Sequence, residues 1–170
     1  MRNLSIRLLA CLTKSLGRGG ERRLKVPIAN YSTSVEAIKT VGEIQGILVA
    51  HGARSILMNY DENGSVESLS FIVKTPYGDM PIRLPVNPRA VLKVLEEQGL
   101  PPRYANYPQA VRIAWRILKD WVRAQMAILE TEMVTMEQIF LPYMVTKNDK
   151  TLYEAMVDKK FFLTEGKGEK

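Results

Sequence analysis

The chain has 170 residues, 46% of them hydrophobic, which is enough for one domain with its own core and too few to expect two. Cys11 is the only cysteine and His51 the only histidine, so an intrachain disulfide and a Cys/His zinc site are both excluded. The net charge of +6 suggests nucleic acid until it is placed: residues 1–25 hold seven basic side chains against Glu21 alone, and the remainder balances.

The opening 1–24 reads as a basic leader that need not be ordered. Leu8-Leu9-Ala10-Cys11 has the look of a lipobox, but Arg7 splits an apolar run too short for a secretory signal. A basic amphipathic arm that touches nucleic acid or membrane is the other alternative to a plain extension. A single α+β domain is expected over 25–163, followed by a charged tail over 164–170.

Thr33-Ser34-Val35-Glu36 has capping-box spacing, and Val35, Ile38, Val41, Ile44 and Leu48 share one helical face, which predicts a helix over 34–50 closed by Gly52. His51 at its end reads as a capping surface histidine. Three strands follow. Ser55 to Tyr60 is closed by Asp61-Glu62-Asn63-Gly64, a hairpin signal. Val66 to Lys74 alternates, with Leu69, Phe71 and Val73 on one face and Ser68, Ser70, Ile72 and Lys74 on the other. Met80 to Val86 completes an antiparallel meander, with Pro81 and Pro85 marking a sheet edge.

Asn87-Pro88 opens a short helix that Gly99 stops. The stretch from Pro108 to Met133 predicts one long helix, apolar along two adjoining stripes that include Val111, Trp115, Leu118, Val122, Ile113, Ile117 and Trp121. Its remaining strip carries Arg112, Arg116, Lys119 and Arg123. Capping boxes at Thr135 and Thr151 predict two short helices around a turn at 147–150, with Pro142 breaking the first.

Residues 83–123 hold eight basic groups against Glu96, Glu97 and Asp120, a local excess that suits phosphate contacts by Arg83, Arg103, Arg112, Arg116, Lys119 and Arg123. Tyr104 and Tyr107 beside Arg103 are candidates for base stacking. The apolar run containing Phe140, Tyr143 and Met144, with Phe161 to Leu163, must fold back or meet a partner. No phosphate loop, dinucleotide fingerprint, nucleophile elbow or histidine pair is present, so no catalytic residue, metal ligand or cofactor is assigned and no enzyme activity is expected. Asp61, Glu62, Glu67 and Asp79 are the one carboxylate group that the meander could gather around a magnesium ion. No apolar run is long enough to cross a membrane, and a reducing cytoplasm fits the lone cysteine.

The run Ala114-Trp115-Arg116 through Trp121, Ala124-Gln125 and Glu130, then Phe140-Leu141-Pro142-Tyr143-Met144 and Lys150-Thr151-Leu152-Tyr153, resembles a group of small proteins encoded by bacteriophages and prophages and lacking an assigned function. The resemblance covers about residues 25–163. It implies a role in the cytoplasm of an infected or lysogenic bacterium, often on DNA. Nucleic-acid binding is the leading expectation and protein interaction through the apolar C-terminal segment its alternative. The first is a non-enzymatic accessory that binds nucleic acid, single-stranded DNA in replication or recombination being one form. The other is a protein-interaction module, either a homo-oligomer or a modulator of a host protein.

Overall fold

Trp115 marks the crossing point of the molecule: its indole N–H donates to the Val66 carbonyl at 3.3 Å, tying the longest helix to the start of the middle strand. The computed structural model describes residues 26–160. In chain order these form α1 (Ala37–Ala50), β1 (Ala53–Tyr60), β2 (Val66–Thr75), β3 (Gly78–Arg83), α2 (Pro88–Glu97), α3 (Tyr107–Glu130), α4 (Met136–Phe140), a 3-10 turn (Leu141–Tyr143) and α5 (Leu152–Asp158). The sheet is antiparallel in the order β1-β2-β3, so the architecture is the α+β arrangement expected, with a meander between an N-terminal helix and a long helix. The leader 1–24, the tail 164–170 and the run Phe161 to Leu163 lie outside the described residues.

Local chemistry accounts for most of the boundaries. Asp61 Oδ1 accepts from the backbone N–H groups of Asn63 and Ser65, and Gly64 takes φ 74°, which closes the first hairpin. Asn87 and Asn106 cap α2 and α3 by accepting from the N–H groups of Ala90 and Gln109, each at 3.0 Å. Both C-terminal capping boxes form, at Thr135 with Gln138 and at Thr151 with Glu154.

Four expectations are corrected. Helix α1 begins at Ala37 rather than at 34, because Thr33 does not cap it: its Oγ1 takes the Val35 N–H and its carbonyl is held by Gln109 Nε2 at 2.9 Å. Ile38, expected on the core face, is exposed. Strand β3 ends at Arg83 rather than Val86; the Leu84 N–H still reaches the Leu69 carbonyl, but Pro85 has no N–H with which to continue. Helix α3 ends at Glu130, beyond which Glu132 adopts a left-handed φ of 60°.

Alternation along the strands puts Leu69, Phe71, Val73, Met80 and Ile82 on one face of the sheet, where they meet Val111, Trp115, Leu118, Val122 and Met126 of α3 and Val41, Ile44 and Leu48 of α1. A second, smaller cluster of Leu95, Ala110 and Ile113 seats α2 against the first half of α3. The C-terminal segment closes the β3 side. Phe140 is fully buried, edge-on to Phe71 at 5.3 Å and to Trp121 at 5.7 Å. Beyond it, the Val145 N–H donates to the Pro81 carbonyl at 2.8 Å and Met144 bridges to Ile82, so the outer edge of β3 is paired along part of its length. The β1 edge has no such cover among the described residues.

Phe140→Ala is expected to cost about 3 to 5 kcal/mol, as is Trp115→Ala, since both remove a large aromatic from a closed core. Urea unfolding followed by circular dichroism measures this. An unmoved midpoint for Phe140→Ala would show that α4 is held by something other than its aromatic contacts.

Candidate functional site

The basic strip on α3 is not the open ridge that its sequence suggests. Arg112 Nη2 lies 2.9 Å from Glu36 Oε1, Arg116 Nη1 lies 3.1 Å from Glu43 Oε2, and Lys119 Nζ lies 2.8 Å from the same Glu43 oxygen. Helix α1 lays its acidic side along the strip, and all three cations become partly buried. Arg112 also gives Nη1 to Gln109 Oε1, and its Nε is left buried without a partner. Hydrogen bonding to Lys119 above all, with the charges of Lys119, Arg116 and Lys39, holds the Glu43 carboxyl below its ordinary pKa against the opposing effect of burial. Arg116 does not pair with Asp120 one turn on; Asp120 accepts from Asn30 Nδ2 at 2.9 Å instead.

The other three cations are scattered. Arg83 reaches across to the loop after α4, where it pairs with the Asp149 carboxylate and donates to the Asp149 carbonyl. Arg103 is exposed, its guanidinium 4.8 Å from the Tyr104 ring centroid, and Tyr104 is itself edge-on to Tyr31. Arg123 is exposed beside a groove of about 750 Å³ between α1 and α3, floored by Gly46, Ile47, Ala50, Met126 and Ala127. Four of the six cations expected to contact phosphate are thus engaged by acids of their own chain. Of the remaining two, Arg103 lies in the turn before α3 and Arg123 in the second half of that helix, and only Arg123 borders this groove.

Among the residues expected to meet a partner, Phe140 is core, Tyr143 is half-buried 5.5 Å from Trp121, and Met144 is bridged to β3. The fold-back alternative therefore describes these three, and they do not form an open docking surface. The carboxylates do not assemble either. Asp61, Glu62 and Glu67 border a cleft of about 1000 Å³ with Arg89 and Tyr107, but Asp61 is committed to its turn and Asp79 lies at the opposite end of β2, opposite Lys74. Among the described residues no group of three acidic, histidine or cysteine side chains is placed to hold a metal.

Two residues matter more than their sequence context implied. Gln109 is buried and donates to the carbonyls of Tyr31 and Thr33, both at 2.9 Å, pinning the segment before α1 onto α3. A polar side chain inside the first turn of an otherwise apolar stripe was the available signal. His51 ends α1 with Nδ1 2.7 Å from the Ile47 carbonyl and Nε2 2.9 Å from Glu130 Oε1. Both partners are acceptors, so the ring is suited to carry a proton on each nitrogen. The Ile47 carbonyl chiefly, helped by Glu130, raises the histidine pKa above its usual value against the effect of burial.

No family model, curated protein or solved structure matches this chain. The likeness to phage-encoded proteins rests on the residues quoted for it alone.

The His51 contacts set a pH dependence whose sign is fixed. Because the folded pKa is raised, the stabilisation is present in full below the unfolded value of about 6.5 and is lost as pH rises through the higher folded value. As the only histidine, His51 gives one imidazole signal; an NMR titration midpoint at or below that of a histidine peptide would contradict the two-acceptor geometry. For Glu43 the sign is opposite: its contribution is present above the ordinary carboxylate pKa and fades as pH falls through the lowered one. Glu43→Gln should therefore lower the melting temperature at neutral pH, while Lys93→Gln, at an exposed pair on α2, should leave it unchanged.

Proposed function

We propose that this protein is a non-enzymatic protein-interaction module whose contact surface is the side formed by α1 and β1. One observation carries the reading: this side is poor in charge, shows exposed apolar side chains and is uncovered among the described residues. From Ala37 to Tyr60 the charged residues are Lys39, Glu43 and Arg54, in a chain that is 25% charged, and Glu43 is turned towards α3. Ile38 and Val49 on α1 are 55% and 59% exposed, and Leu57, on the opposite face of β1 across from Ser70, is 61% exposed. Gln45 Nε2 approaches Met58 Sδ at 3.2 Å, which joins the helix and the strand into one surface. Apolar side chains gathered on one side of a fold mark contact sites more reliably than single exposed ones.

The glycines of α1 agree with this. Gly42 and Gly46 stand in mid-helix, one turn apart, with nothing within 4 Å of where a Cβ would be. Each costs the helix about 0.5 to 1 kcal/mol relative to alanine, and no contact within the described fold requires either. Small residues at that spacing allow another backbone to come close. A modulator of a host protein and a homo-oligomer, both consistent with a small phage accessory, use such a surface in the same way. The nucleic-acid alternative retains Arg103 and Arg123, which do not make one groove.

Photo-crosslinking tests the surface. A crosslinking amino acid at Val49 should give adducts in cells expressing the chain, whereas one at Glu96 on α2 should not. Adducts at Glu96 with none at Val49 would refute the assignment.

A further inference from the structure

The β1 edge narrows the choice of partner. Antiparallel pairing with β2 turns the backbone N–H and C=O of every second β1 residue outward, and among the described residues no strand takes them up. Natural sheets protect such an edge with lysine, proline, inward charge or brevity. The register of β1 is irregular only between Ala53 and Ser55 and between Asn59 and Tyr60, and the run from Ser55 to Asn59 contains no charge and no proline. The opposite edge, on β3, carries Pro81 and is bridged by Met144. The two edges of one sheet are thus treated differently: the β3 edge is bridged, whereas β1 is irregular only at its ends and leaves Ser55 to Asn59 open beside the exposed residues of α1.

We infer that the chain is a homodimer in which β1 pairs antiparallel with β1 of a second copy about a two-fold axis, joining two three-stranded sheets into one of six strands. The inference rests on the reading of the α1 and β1 side as a contact surface, and names its occupant. Charge selects that occupant. Arg54 is exposed near the start of β1, and beyond its end Glu62 is exposed while Asp61 is held by its own turn. A parallel neighbour would set Arg54 against Arg54, but an antiparallel copy brings each Arg54 to the partner's acidic end, and two-fold symmetry repeats the contact. The same axis lays the two α1 helices side by side over the joined sheet, where Gly42, which has nothing within 4 Å of where a Cβ would be, leaves room for close approach.

Sedimentation equilibrium on the full chain tests this. Wild type should run as a dimer in the micromolar range. Gly42→Gln, which adds a side chain into space that is open in the monomer, should remain folded by circular dichroism and dissociate at least about tenfold more readily. Arg54→Glu should weaken the dimer similarly, and adding Glu62→Lys to it should restore association. A wild-type monomer at about 100 μM that still forms Val49 adducts with other proteins would overturn self-pairing and leave the interaction surface standing. A dimer indifferent to both the glycine and the charge variants would overturn it too, since the contact would lie elsewhere. A monomer with no Val49 adducts would remove both readings.

Discussion

Everything in this fold depends on α3 finding cover on nearly all sides of its first half, including the side that carries charge. An apolar helix can be enclosed by a sheet and two helices, but a strip with Arg112, Arg116 and Lys119 cannot be covered unless its charges are met. Glu36 and Glu43 meet them. Partly buried ion pairs of this kind contribute little net stability, because desolvation offsets most of the attraction. Their consequence is positional: they allow α1 to lie against α3, and α1 in turn completes the core above β1 through Val41, Ile44 and Leu48.

Much of the architecture was readable because it is encoded locally. Asn87, Asn106, Thr135 and Thr151 are caps with short-range partners, and the alternation around Leu69, Phe71 and Val73 is set by the strand period. What escaped was decided at long range. Thr33 to Glu36 satisfies a capping spacing, yet Gln109, far along the chain, claims the Thr33 carbonyl and delays the helix. The basic strip looked solvated because a helix sequence shows which residues share a face, not which element will lie on it. Glu36, the N-cap of α1, and Glu43, two turns on, share one face, and their match to the strip exists only once the two helices are in contact.

The apolar C-terminal run illustrates the same limit from the other side. Phe140, Tyr143 and Met144 were correctly marked as too apolar for water, but hydrophobicity does not say whether the cover is internal. Here Trp121, half a turn past the most buried part of α3, offers an aromatic edge to both Phe140 and Tyr143, and the segment closes on its own domain. Exposure elsewhere had no local signature: Ile38 and Val49 look like ordinary members of an amphipathic helix, yet both stand outside the core.

The placement of the two tryptophans divides the molecule into zones that can be followed separately. Trp115 sits in a closed environment, hydrogen-bonded to the first residue of β2, so its emission belongs to the union of sheet and helix. Trp121 is ringed by Phe140 and Tyr143, which arrive with the last third of the chain. Closure of that segment is therefore written into the fluorescence of a residue that precedes it, and a chain carrying only Trp121 would sense the arrival of its own C-terminal region as a change of colour rather than of shape.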